Sequence, residues 1–252
     1  KGQDGIRQIE VDALFREKNI LSMIDPVDGS DLVLTIDAKA QAKLFEIMQK
    51  NAERYDNPKM AAVILDAEDG GILAMASLPT YDNNIFTTLL NNEEYSKITA
   101  NKDLPLLNRV ISGTYPMGSI FKAVISAAAL EEKLINTSFT VNSTGGVQIG
   151  GSFFPDWRSG GYGLTNIYWA LADSVNTFFY SIGGGNNEWL SLGLGSDKII
   201  EYAEKFGLGK LTNIDLNAEA DGFLPSKQWK EDTFDERWYL GDTYNLSIGQ
   251  GY

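Results

Sequence analysis

Ser119 and Lys122 lie three residues apart in the run Tyr115-Pro-Met-Gly-Ser-Ile-Phe-Lys122, in a chain with no histidine and no cysteine. That composition excludes Ser-His-Asp hydrolysis, Cys-His catalysis and His-ligated zinc chemistry. A nucleophilic serine in this chain would then use a lysine as its base. Lysine acts as a base only when neutral, and its reference pKa of ~10.4 must fall by about three units for that near pH 7. Burial lowers it, and a second cation nearby would add to the shift. Phe121 and the apolar positions behind it can supply the burial. Pro116 and Gly118 suit a sharp turn into a helix, which places Ser119 in a first turn whose N–H groups favour a developing oxyanion. Lys122 follows one turn later on the same face. The plainer reading of Ser-x-x-Lys is a helix that begins at a serine and carries a solvated lysine.

Downstream, Ala172-Asp-Ser174-Val-Asn176 contains Ser-x-Asn. Ser174 can relay a proton between Lys122 and a leaving group, and Asn176 can both donate to and accept from a substrate amide. Local capping by Ser and Asn is the competing reading of that motif.

These residues need elements to hold them. Phe121, Val124, Ile125, Ala128 and Ala129 repeat at helical spacing, predicting a helix over 118–134. Thr165 is expected to cap a helix running through Ile182. Leu32-Val-Leu-Thr-Ile36 reads as a short strand, and Asp37 as the N-cap of a helix through Tyr55. Two apolar runs around Ala67-Glu-Asp-Gly70 read as a β-hairpin over 60–77. A short helix is expected near 93–99, short strands and turns over 144–163, and a helix over 197–206 ended by Gly207. Residues 1–31 read as a polar, turn-rich entry segment, and 210–252 as irregular. Without regular βαβ alternation, the fold class is α+β with an antiparallel sheet.

The chain has 252 residues, with 21 basic and 34 acidic side chains and a net charge of −13. That balance argues against nucleic-acid binding, which needs clustered Lys and Arg on phosphates, and against a polybasic membrane-surface protein. No apolar run approaches the ~18–20 residues of a membrane span.

Taken together, the run Asn108-Arg-Val-Ile-Ser-Gly-Thr-Tyr115-Pro-Met-Gly-Ser-Ile-Phe-Lys122 resembles the active-site segment of class B penicillin-binding proteins, with Met117 where a second proline is usual. Asp31-Leu-Val-Leu-Thr-Ile-Asp37, Ser77-Leu-Pro-Thr-Tyr-Asp82, Asp156-Trp157, Ser174-Val-Asn-Thr-Phe-Phe-Tyr180 and Gly241–Gly251 extend the resemblance over essentially the whole chain, and Gly222-Phe-Leu-Pro-Ser-Lys227 is similar to the elongation type. The resemblance implies the penicillin-binding protein and serine β-lactamase-like transpeptidase fold, an antiparallel sheet flanked by helices. It implies D,D-transpeptidation of peptidoglycan without cofactor or metal, Ser119 as nucleophile, Lys122 as base, and Ser174 and Asn176 moving protons and holding substrate. Trp157 and Tyr115 become candidate walls of the substrate groove. The implied ligands are stem peptides and β-lactams. The implied partners are a glycosyltransferase and the elongation complex, at a bacterial membrane with the domain on its outer face.

The family's third motif, Lys-Ser/Thr-Gly after Ser-x-Asn, is absent from the 252 residues; Arg158-Ser-Gly160 precedes Ser174 and lacks the right order. That pattern reads as a transpeptidase domain over 32–252 whose last strands are missing, preceded by the end of a pedestal region over 1–31, with weak or no activity by itself. A serine β-lactamase, a β-lactam sensor and a non-catalytic scaffold are the competing functions. The first requires a glutamate for deacylation that the sequence does not display in a convincing place.

Overall fold

A computed structural model describes residues 2–86, 92–186 and 188–252. The chain forms two compact units, residues 1–110 and 111–252.

The first unit opens on an antiparallel hairpin, β1 (Ile6–Val11) and β2 (Glu17–Ile24), with every residue of both strands exposed. The entry-segment reading missed this hairpin. Its turn lacks a glycine signal: the positive φ of 60° falls on Phe15, and the Asp12 carboxylate accepts from the Leu14 and Arg16 N–H groups instead. Helix α1 (Ala38–Arg54) starts where expected, with the Asp37 side chain accepting from the N–H groups of Lys39 and Ala40. The hairpin β3 (Met60–Leu65) and β4 (Ile72–Leu78) pairs antiparallel, and α1 lays Met48 against Ala76 and Leu78. The strand expected over 32–36 does not form. Leu32, Val33 and Leu34 are exposed, while the Thr35 hydroxyl and the Asp37 N–H donate to β4, at Ile72 and Leu73. A short helix, α2 (Asn92–Thr99), follows. Arg109 is structural, its buried guanidinium donating to the carbonyls of Asp103 and Leu104.

The second unit is built around α3 (Lys122–Glu131) and α5 (Asn176–Gly184). A 3-10 turn over Gly118–Phe121 leads into α3. Val124, Ile125, Ala128 and Ala129 are all buried, as their spacing predicts. Two antiparallel pairs follow: β5 (Thr140–Ser143) with β8 (Gly163–Asn166), and β6 (Gly146–Ile149) with β7 (Ser152–Pro155). Among the described residues, the strands thus make two-stranded ladders rather than one continuous sheet. Helix α6 (Gly195–Lys205) ends at Phe206 before Gly207, as expected. The irregular reading of 210–252 is corrected: α7 (Lys227–Phe234) is capped by the Ser226 hydroxyl on Trp229 N–H, and α8 (Leu240–Ser247) by Asp242 folding back on the Tyr239 N–H. Helix α8 packs tightly on α5, because a Cβ on Gly184 would lie 2.3 Å from the Tyr244 ring. Phe178, Phe179, Ile182 and Tyr244 are fully buried at the centre of this core.

The single helix expected from Thr165 to Ile182 is two. Thr165 belongs to β8, and Asn166 caps α4 (Ile167–Ala172) by accepting from Trp169 N–H. The chain then turns before α5, and that turn builds the site.

Candidate active site

Helix α4 ends in a Schellman arrangement. Val175 N–H reaches the Ala170 carbonyl at 2.9 Å, Ser174 N–H reaches Leu171, and Ser174 takes the left-handed position with φ 53°. Glycine is the usual occupant there, since a Cβ costs about 1–2 kcal/mol in that conformation. Here the position carries a hydroxyl aimed at two other residues. The Ser174 hydroxyl donates to Ser119 Oγ at 2.8 Å. Lys122 Nζ donates to Ser174 Oγ at 3.0 Å, to the Ser174 carbonyl at 2.9 Å and to Asn176 Oδ1 at 2.6 Å. The structure therefore brings Ser119, Lys122, Ser174 and Asn176 together, and the path from Lys122 to Ser119 runs through Ser174. Replacing Ser174 with glycine or alanine removes the relay equally, but the glycine variant should be the more stable by about 1 kcal/mol, because alanine keeps the backbone cost. Urea denaturation of the two variants measures that order.

Lys122 is 1 % exposed. Burial pushes its amine down to about 8, against the opposing pull of the Asp156 carboxylate. The Phe179 ring lies 5.3 Å from Nζ. Asn176 is the first residue of α5, and its Nδ2 donates to the Pro155 carbonyl at 3.2 Å, so both ends of its amide are held within the protein. Ser119 is exposed, with Phe121 and Lys122 buried behind it.

Trp157 is 70 % exposed, and its indole donates to the carbonyl of Asp173, the residue before Ser174. Tyr115 is exposed on the segment entering the 3-10 turn. Asp242 accepts from buried Lys230 at 2.7 Å.

Two features escaped sequence reasoning. Asp156, noted only as a flank of Trp157, is a buried carboxylate; it accepts from the Thr177 N–H, the Thr177 hydroxyl and the Ser143 hydroxyl at 2.7–2.8 Å. A polar residue after a β-strand carries no sequence sign of burial. Gly249 closes on the turn that carries Ser119: its carbonyl accepts from Gly118 N–H at 2.8 Å, its φ is +68°, and a Cβ would lie 2.3 Å from the Gly118 carbonyl. Gly249→Ala should push the Ser119 turn out of place and slow its acylation by on the order of 10²-fold, the cost of a misplacement near 1 Å. Labelling rates against a fluorescent penicillin, with melting curves in parallel, measure this.

Among the described residues, no cluster of His, Cys, Asp or Glu could hold a metal ion, and no helix is long and apolar enough to cross a membrane.

Comparison with known proteins shows the family. The model of the penicillin-binding protein transpeptidase domain matches residues 60–252. The peptidoglycan D,D-transpeptidase MrdA of Escherichia coli K12 is 34% identical over 253 residues, which covers 100% of this chain and 38% of that protein. The chain therefore spans well under half the length of this relative. The crystal structure of Pseudomonas aeruginosa PBP2 in complex with WCK 5153 superposes with a TM-score of 0.74 at 33% identity, covering 90% of this chain and 49% of that one. PBP2 of Helicobacter pylori, solved in complex with MreC, gives a TM-score of 0.75 at 29% identity, covering 98% and 44%. With its fold, its Ser119–Lys122–Ser174 constellation and a domain model matching most of its length, the chain belongs to the penicillin-binding protein transpeptidase family.

Proposed function

We propose that this chain carries the acyl-transfer site of a peptidoglycan D,D-transpeptidase of the elongation type, working through an acyl-enzyme on Ser119. The observation that carries the reading is the hydrogen-bonded path from Lys122 through Ser174 to Ser119. Its polarity can reverse in only one way. An ammonium uses three N–H donors, and two of its acceptors here, the Ser174 carbonyl and Asn176 Oδ1, can never donate. When Lys122 loses its proton, the lone pair must face Ser174 Oγ. The Ser174 hydroxyl then donates to Lys122 and accepts from Ser119 across the same 2.8 Å. As Ser119 Oγ bonds to the carbonyl carbon of the donor peptide, its proton passes to Ser174 and the Ser174 proton passes to Lys122. On collapse of the tetrahedral adduct the chain runs back, protonating the amine that leaves. An amine of a neighbouring stem peptide then takes the acyl group. A β-lactam opens on the same serine and remains.

With the lysine pushed down to about 8, the proton acceptor is neutral in a minority of molecules at pH 7. Acylation of Ser119 should therefore rise with pH and level off above about 8. Stopped-time labelling with a fluorescent penicillin between pH 6 and 9.5 tests this, and a rate that falls over that range contradicts it.

The absence of a Lys-Ser/Thr-Gly motif after Ser174 supports slow labelling of these 252 residues alone. That motif supplies a second oxyanion donor in the family, and losing one such donor costs roughly 10²–10³ in rate. Trp157 and Tyr115 are proposed as walls of the groove that receives the stem peptide. The relative solved with MreC supports an elongation complex as the setting. A glycosyltransferase partner, the outer face of the bacterial membrane, and residues 1–31 as the end of a pedestal region belong to the same proposal.

A further inference from the structure

We propose that Asp156 is the positioning residue of this site: its carboxylate clamps the first turn of α5 so that Ser174 and Asn176 meet Lys122. The proposal rests on the reading of Lys122 as the base, and it extends that reading to a residue that touches no substrate. Oδ1 accepts from the Thr177 N–H at 2.8 Å; Oδ2 accepts from the Thr177 hydroxyl and the Ser143 hydroxyl, each at 2.7 Å. One buried anion thus ties β5, the end of β7 and the start of α5 into one knot. That knot lies directly beside Asn176, whose amide is held between the Pro155 carbonyl and Lys122 Nζ. Pro155, next to Asp156, accepts from Asn176 Nδ2, and Thr177 follows Asn176 directly. The N-terminus of α5 also favours an anion by its dipole.

The carboxylate does a second thing at the same place. The ionisable groups on the surrounding elements are Tyr180 on α5, Asp173 between α4 and α5, Arg158 and Tyr162 after β7, and Tyr244 on α8. Burial holds Tyr180 and Tyr244 up at about 12, so both stay neutral. Of the charged groups, Asp156 is the one that acts on Lys122, and it acts against the lysine's burial. The clamp keeps the lysine enclosed, while its charge keeps the enclosed ammonium from being too costly.

Clamp and charge separate by substitution. Asparagine is isosteric: its Oδ1 can accept from the Thr177 N–H, and its Nδ2 can donate to the two hydroxyls, which accept as readily as they donate. Asp156→Asn therefore keeps the clamp and loses the charge, while Asp156→Ala loses both. The readout is the titration of Lys122 itself, followed in the whole chain by NMR of ¹³C-labelled lysine. The Lys122 midpoint should move to lower pH in Asp156→Asn and upward, toward the ordinary lysine value, in Asp156→Ala. Should Asp156→Ala lose its cooperative melting transition, Thr177→Val removes one clamp donor and no charge, and its midpoint should also rise. A midpoint unchanged in both variants, or one that rises in Asp156→Asn, overturns the proposal, since a merely structural aspartate would open the site in either case. Lys122 titrates whether or not Ser119 is acylated. A chain that labels with penicillin on a residue other than Ser119 but shows these opposite shifts would refute the proposed function and leave the clamp standing.

Discussion

Lys122→Ala should slow acylation of Ser119 by roughly 10²–10⁴, the usual contribution of a positioned general base. Lys122→Arg should lose as much, although it keeps the charge and the length. A guanidinium stays protonated throughout the accessible pH range, so it can fill the space between Ser174 and Asn176 and still take no proton from the relay. The pair of variants separates a base from a fixed cation. If Lys122 only stabilised negative charge near Ser119, arginine would retain most of the rate. The measurement is the rate of covalent labelling by a fluorescent penicillin, read on denaturing gels against the parent chain.

Phe179→Ala should be the most damaging substitution for stability, at about 3–5 kcal/mol, as for other large aromatic deletions in a packed core. Phe179 is fully buried, its ring packs edge-on against Phe178 at 5.6 Å, and the same ring lies under the Lys122 amine. The cavity would admit water beside Nζ, and the lysine would titrate closer to its usual value. That change has a signature in pH as well as in magnitude. The folded-state lysine is held down at about 8 against a reference of 10.5. Between those values the unfolded chain binds more protons than the folded one, so stability rises with pH across that window. Below about 8 the burial cost is fully present. In Phe179→Ala the rise should flatten. Urea denaturation at pH 7.5 and pH 9.5 for both proteins tests it, and an undiminished pH difference in the variant would contradict the packing account.

What the sequence disclosed and what it withheld divide along physical lines. Signals confined to a few neighbouring residues were legible. The Asp37 cap, the hairpin around Ala67-Glu-Asp-Gly70 and the buried stripe of α3 all formed as read. The Ser119–Lys122 spacing was legible too, because one helical turn sets it. Elements decided by distant partners were not. Residues 32–36 have the composition of a strand, yet a strand needs a pairing edge, and among the described residues the contact with β4 is one hydrogen bond from the Thr35 hydroxyl and one from the Asp37 N–H that follows. Helices α7 and α8 begin at caps made by the Ser226 and Asp242 side chains, and α8 finds the apolar partners for Tyr244 and Leu246 only in the folded unit. The break between α4 and α5 was hidden for a different reason. A left-handed residue announces itself in sequence as glycine, and Ser174 occupies that position to present a hydroxyl. Local preference and global structure disagree there because the site needs the side chain. The same holds for Asp156, whose three donors come from β5 and α5 and are visible only once those elements are in place.

The account stands most directly on where a β-lactam attaches. After prolonged incubation of the 252-residue chain with penicillin at pH 8.5, peptide mass spectrometry should find a single adduct, on Ser119. The adduct should form slowly, be absent from Ser119→Ala, and be strongly reduced in Lys122→Arg. An adduct on another residue, or undiminished labelling of Ser119→Ala, would contradict the assignment of Ser119 as the nucleophile.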